Sequence, residues 1–93
     1  MILVVAQATL RADAREAFLA AVPAQLAQTR LEAGCLAYAA YTSVEDPLRV
    51  IFVERWQDRA AVDAHMAAPH TQAFLALAAA SVSAPPSIED FEV

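Results

Sequence analysis

Apolar residues follow two rhythms along this chain. Residues 2–10 (ILVVAQATL), 35–43 (CLAYAAYTS) and 49–56 (RVIFVERW) are short β-branched, aliphatic or aromatic runs, which predicts strands. A wider spacing follows the first run. Phe18, Val22, Leu26 and Thr29 form one helical stripe, and Asp13 and Glu16 have the spacing of an N-cap acid and its N3 partner. Pro23 should kink that helix or loosen a turn of it. Gly34, the only glycine, falls where a helix C′ residue is expected. Asp46-Pro47 marks a turn between the second and third runs. Asp58 suits the N-cap of a short helix through Met66, and Pro69 the first position of another through about Ala80. Ala84-Pro85-Pro86 is a rigid link, and residues 87–93 (SIEDFEV) read as a last strand.

The predicted order is β-α-β-β-α-β within one domain spanning residues 1–93, the second helical segment being broken at Pro69. This is the ferredoxin-like split arrangement, an α+β fold with an antiparallel sheet and helices on one face. The other face of such a sheet is ordinarily polar. Here Val50, Phe52 and Trp56 share one face of the third strand while Ile51 and Val53 share the other, and the first strand is apolar on both sides. A sheet of this kind needs a second cover. The simplest is the sheet of another copy, giving a homodimeric α+β barrel.

Composition points the same way. Hydrophobic residues make up 59% of the 93, and although 24 are alanines, larger apolar side chains still fill about a third of the chain. A domain this small hides only ~60–65% of its unfolded surface by itself. The net charge of −5 and the lack of a basic patch argue against nucleic acid and anionic membrane surfaces. The N-terminal apolar run lacks a basic flank and ends at Gln7, too short for a signal peptide or a membrane span. One cysteine, Cys35, allows no intrachain disulfide, so the expected compartment is the cytoplasm. No glycine-rich nucleotide loop is present, and no cofactor is expected.

Chemistry concentrates in "ERWQDRAAVDAHMAAPHTQAF", residues 54–74, which hold both histidines and the only tryptophan. His65 shares a helix face with Ala61 and Val62, so it should point at the sheet. It is either a satisfied core histidine or a general base titrating near neutrality. His70 follows Pro69 in a first turn, where capping or surface packing explains it more readily than chemistry. The two histidines straddle a helix break without a third ligand, so no metal site is expected. Glu54 is a charge in an apolar strand, costly to bury unless paired. It could orient His65 or join a salt bridge. Trp56, Phe52, Tyr38 and Tyr41 are core, or the lining of a slot for a planar aromatic ligand.

"EAGCLAYAAYTSVEDP" followed by "VIFVERWQDRAAVDAHMAAPHTQAF" resembles the antibiotic biosynthesis monooxygenase (ABM) domain family over nearly the full length. The carrying residues are Gly34-Cys35, Glu54-Arg55-Trp56, and Ala64-His65 followed by Pro69-His70, the last of these being most similar to the bacterial quinol monooxygenase branch. Departures narrow what the resemblance implies. Where the polyketide oxygenases of the family use an asparagine, a tyrosine and an arginine, this chain has Phe52, Val62 and Ala76, keeping only Trp56. The haem degraders' asparagine is matched only by Ala6 or Gln7, so haem is disfavoured. The resemblance implies a cofactor-independent oxygenase of a hydroquinone-like or polyphenolic substrate using dioxygen. His65 would be its base, Glu54 the orienter, and Trp56, Tyr38, Tyr41, Phe52 and His70 the surroundings of the substrate. The rival reading is a non-enzymatic small-molecule-binding dimer. A His65 sealed away from any cavity would favour the rival.

Overall fold

The computed structural model describes residues 1–93. Its elements are β1 (Ile2–Thr9), α1 (Arg15–Thr29), β2 (Cys35–Thr42), β3 (Arg49–Trp56), α2 (Arg59–Ala67), α3 (Pro69–Ser81) and β4 (Ser87–Glu92). The strands form one sheet in the order β2-β3-β1-β4, every neighbouring pair antiparallel. This is the ferredoxin-like α+β architecture that the element order predicts. No helix is long and apolar enough to cross a membrane.

Period-2 alternation assigns each strand residue to a face. Ile2 and Val4 of β1 and Val50, Phe52, Glu54 and Trp56 of β3 are buried beneath the helices. Leu3, Val5, Ile51 and Val53 occupy the opposite face, joined by Tyr41 of β2 and Phe91 of β4 through the strand registers. Tyr41 is 56% exposed and Phe91 47% exposed there, so one sheet face is apolar and uncovered in the single chain.

Helix α1 buries a stripe that differs at one position from the one the sequence suggests. In α1 the buried residues are Phe18, Val22, Gln25 and Thr29, and Leu26 is only half-buried. The polar Gln25 therefore takes an inward position expected to be apolar. The anticipated Asp13–Glu16 cap is absent. Ala14 is the N-cap, without a side-chain bond, and the Asp13 carboxylate accepts instead from Arg11 Nε at 3.1 Å. Helix α1 runs through Pro23, whose ring stands exposed on the solvent side. Asp58 does cap α2, accepting from the Ala61 amide at 2.9 Å. Pro69 opens α3 at the first position, where its missing N–H has no helical partner to lose.

Gly34 is not the C′ residue of α1, which ends at Thr29. It stands at φ +83°, and a Cβ there would lie 2.6 Å from Ala61 Cβ. Its carbonyl accepts from the Gln57 amide at 2.8 Å. The glycine thus lets the turn before β2 press directly on the start of α2, and that contact fixes where His65 sits.

Candidate functional site

A cavity of about 270 Å³ lies between the helices and the sheet. Small side chains create it. Ala6 and Ala8 of β1 and Ala78 of α3 line it, so the layers do not close there as they do around the wholly buried Trp56. Val4, Val50, Phe52 and Phe74 make most of its wall apolar, and Arg59, Asp63 and Asp90 lie towards β4. Arg59 Nη1 donates to Asp90 Oδ2 at 3.0 Å, tying the start of α2 to β4. That bond holds the Asp90 carboxyl below its usual range and raises the guanidinium of Arg59.

Two buried titratable side chains line the cavity from opposite layers. His65 comes from α2 and is 4% exposed; Glu54 comes from β3 and is 7% exposed. Burial pushes the Glu54 carboxyl up to about 7, and nearby Glu32 adds to the rise against the hydrogen bond from Trp56, which lowers it. Trp56 Nε1 donates to Glu54 Oε1 at 2.9 Å. Beside them, burial raises the Tyr38 phenol to about 12, so its hydroxyl stays protonated at neutral pH. The rings pack closely: His65 lies 4.7 Å from Trp56 and 5.3 Å from Tyr38 between centroids.

Glu54 is not the partner of His65. The carboxylate on the imidazole is Glu32, whose Oε2 lies 2.7 Å from His65 Nδ1. Thr71 Oγ1 lies 3.3 Å from the same nitrogen and accepts from Gln25 Nε2 at 3.3 Å. Gln25 Oε1 lies 2.9 Å from His70 Nδ1, and His70 Nε2 lies 3.8 Å from Glu32 Oε2. The five side chains close a ring drawn from α1, the turn after it, α2 and α3.

Of the residues singled out in the sequence, His65, Glu54, Tyr38 and Phe52 line the cavity. Trp56 is wholly buried behind the wall and holds Glu54. His70 sits in the first turn of α3 as expected, but it is turned into the ring and not onto the cavity wall. Tyr41 pairs with Ile51 on the outer face and does not reach the cavity. Gln25, Glu32 and Thr71 went unnoticed in the sequence. For Gln25 a signal existed, since it falls three residues after Val22 and four before Thr29 on the inward stripe. No group of three or more His, Cys, Asp or Glu side chains is placed to hold a metal ion.

This fold is shared with a recognised class of α+β proteins. The chain belongs to the antibiotic biosynthesis monooxygenase family, whose profile matches residues 1–77. It is similar to Rv0793 of Mycobacterium tuberculosis, named a candidate monooxygenase, with 40% identity over 67 residues that cover 72% of this chain and 65% of that one. The solved structure of Rv0793 superposes with a TM-score of 0.93 at 29% identity, covering 99% of this chain and 93% of that one. YcnE of Bacillus subtilis, likewise named a candidate monooxygenase, is 29% identical over 91% of this chain and 90% of its own. A crystal structure described as an antibiotic biosynthesis monooxygenase superposes at 0.95 with 30% identity, covering 100% of this chain and 98% of that chain. The chain spans a little under two thirds of the first two curated relatives it matches, 65% and 63%.

Proposed function

We propose that the protein is a cofactor-independent monooxygenase of a hydroquinone-like or polyphenolic aromatic substrate, acting as a cytoplasmic homodimer. The observation that carries this reading is the meeting of His65 and Glu54, both buried, on the wall of one largely apolar cavity. Phe52 and Tyr38 offer aromatic surface for a planar ring. His65 takes a phenolic proton, and the resulting electron-rich anion reduces dioxygen as a carbon–oxygen bond forms. Loss of water from the ring hydroperoxide gives a hydroxyquinone. One hydroquinone and one dioxygen are consumed, and one hydroxyquinone and one water are made. The substrate supplies all four electrons that dioxygen takes up, so no other reductant is needed. Glu54, held near neutrality, supplies the proton with which hydroxide departs as water. The apolar wall strengthens these charge interactions and keeps bulk water from the anion.

The rival reading, a binding dimer without chemistry, would be favoured by a His65 sealed in the core. His65 instead lines the cavity, which supports the enzymatic reading. The test is oxygen uptake with a panel of hydroquinones, comparing the wild type with His65→Ala. Stoichiometric uptake that His65→Ala largely abolishes supports the proposal. Ligand binding without catalysed uptake hands the site to the rival.

A further inference from the structure

We infer that Glu32 is the positioning residue of this site, fixing His65 as the Nδ1–H tautomer so that Nε2 is the free base facing the cavity. The role of His65 as base rests on the function proposed above; the tautomer does not. A carboxylate can only accept, so the 2.7 Å contact places a proton on His65 Nδ1. A neutral imidazole carries one ring proton, so Nε2 is left with its lone pair. No protein group hydrogen-bonds to that nitrogen. Thr71 Oγ1, at 3.3 Å, can then only share the Nδ1 proton as a second acceptor.

The rest of the ring agrees. Gln25 gives its amide hydrogen to Thr71 and so offers its carbonyl oxygen to His70, which donates from Nδ1. Gln25 and Thr71 are each under 5% exposed, at 4% and 2%, so their geometry is held by packing. The Glu32 carboxylate, 19% exposed at its side chain, enters this ring from the turn between α1 and β2. Gly34 brings that turn against α2. The carboxylate does a second thing. Once His65 has taken a substrate proton it is an imidazolium, and the negative charge 2.7 Å from Nδ1 stabilises it.

The test uses full-length protein with ¹⁵N-labelled histidine. Long-range proton–nitrogen spectra distinguish the two neutral tautomers, and His65→Ala assigns the signals. Wild-type His65 should be the Nδ1–H form. Glu32→Ala should revert it to the Nε2–H form that a free imidazole prefers, and lower kcat by roughly 10²-fold or more with little change in KM. Glu32→Gln, of the same shape, should keep the Nδ1–H form through its carbonyl oxygen. It should still lose about tenfold in kcat because the charge is gone, which keeps the test decisive if the alanine variant fails to fold. An Nε2–H His65 in the wild type overturns the inference, as does full turnover in Glu32→Gln or an unchanged tautomer in folded Glu32→Ala. A protein without oxygenase activity would sink the proposed function while leaving the tautomer result to decide the role of Glu32.

Discussion

Trp56 Nε1 donates to Glu54 Oε1 at 2.9 Å, joining the most deeply buried side chain of β3 to the only buried carboxylate. The two are neighbours on one face because they are two apart on a strand. The bond occupies one carboxyl oxygen and leaves the other for the cavity. It also lowers a carboxyl that burial raises to about 7. Trp56→Phe keeps an aromatic ring and removes the donor. The Glu54 carboxyl should then titrate higher still, read as the pH dependence of its infrared carbonyl band. The lost bond and volume should destabilise the fold by about 1–3 kcal/mol. An unchanged titration would mean that the indole does not tune this acid.

The same shift makes stability depend on pH. The Glu54 carboxyl rises in the folded chain from an ordinary 4.5 to about 7. Between those values the folded chain keeps a proton that the unfolded chain has released. The contribution of this group is therefore most favourable below the lower value, declines as pH rises through the window, and levels off above about 7. The decline amounts to roughly 3 kcal/mol at about 1.4 kcal/mol per unit. Glu54→Gln keeps an acceptor for Trp56 and cannot ionise. In urea melts at fixed protein concentration it should match the wild type at acid pH and exceed it above neutrality. Parallel pH profiles for the two proteins would show that Glu54 ionises freely when folded.

Gly34 offers a test of local geometry. Alanine there must hold φ at +83° and place Cβ 2.6 Å from Ala61 Cβ. The expected loss is about 2–4 kcal/mol, of which the left-handed backbone accounts for ~1–2. Adding Ala61→Gly should recover the steric part and leave the backbone part, a coupling that a double-mutant cycle measures. Full recovery would mean that strain at Gly34 is negligible.

The element order was legible in the sequence because strand and helix rhythms differ and prolines punctuate them. Pro69 separates two helices and Asp58 caps the first, both as read. The burial of His65 followed from its place beside Val62. Its partner did not follow, because Glu32 lies 33 residues away in a turn with no periodicity to mark it. Only the approach of that turn to α2 brings the two together. The sequence also left open which face carried Glu54, although alternation with Phe52 and Trp56 puts all three together. Tyr38 and Tyr41 were placed around one slot, yet an odd separation on a strand sends them to opposite faces, as observed.

The uncovered sheet face predicts the assembly. Leu3, Val5, Ile51, Val53, Tyr41 and Phe91 share it, and Val53 lies at its centre on β3, 36% exposed. A homodimer built there buries these side chains against a second copy. Val53→Asp would place a charge in that contact without disturbing the cavity behind the sheet. Sedimentation should give twice the chain mass for the wild type and a shift towards the monomer for the variant, with helix content kept. A wild-type monomer would leave the apolar face without this explanation.

The two tyrosines separate the cavity from the outer face as the place of reaction. Tyr38 is 5% exposed, lines the cavity and packs edge-on to His65 at 5.3 Å. Its phenol, raised to about 12 by burial, remains a neutral donor over the working pH range. Tyr38→Phe keeps the ring and removes only the hydroxyl of a residue on the cavity wall beside His65. Turnover of a hydroquinone should fall about tenfold with that neutral donor gone from the cavity, the fold being retained. Tyr41→Phe removes a hydroxyl on the far side of the sheet and should leave turnover within about twofold. Oxygen-uptake kinetics on both variants, at equal dimer content, decide the matter. If Tyr41→Phe is the damaging change and Tyr38→Phe the silent one, the substrate meets the outer face of the sheet, and the cavity between sheet and helices is not where the chemistry occurs.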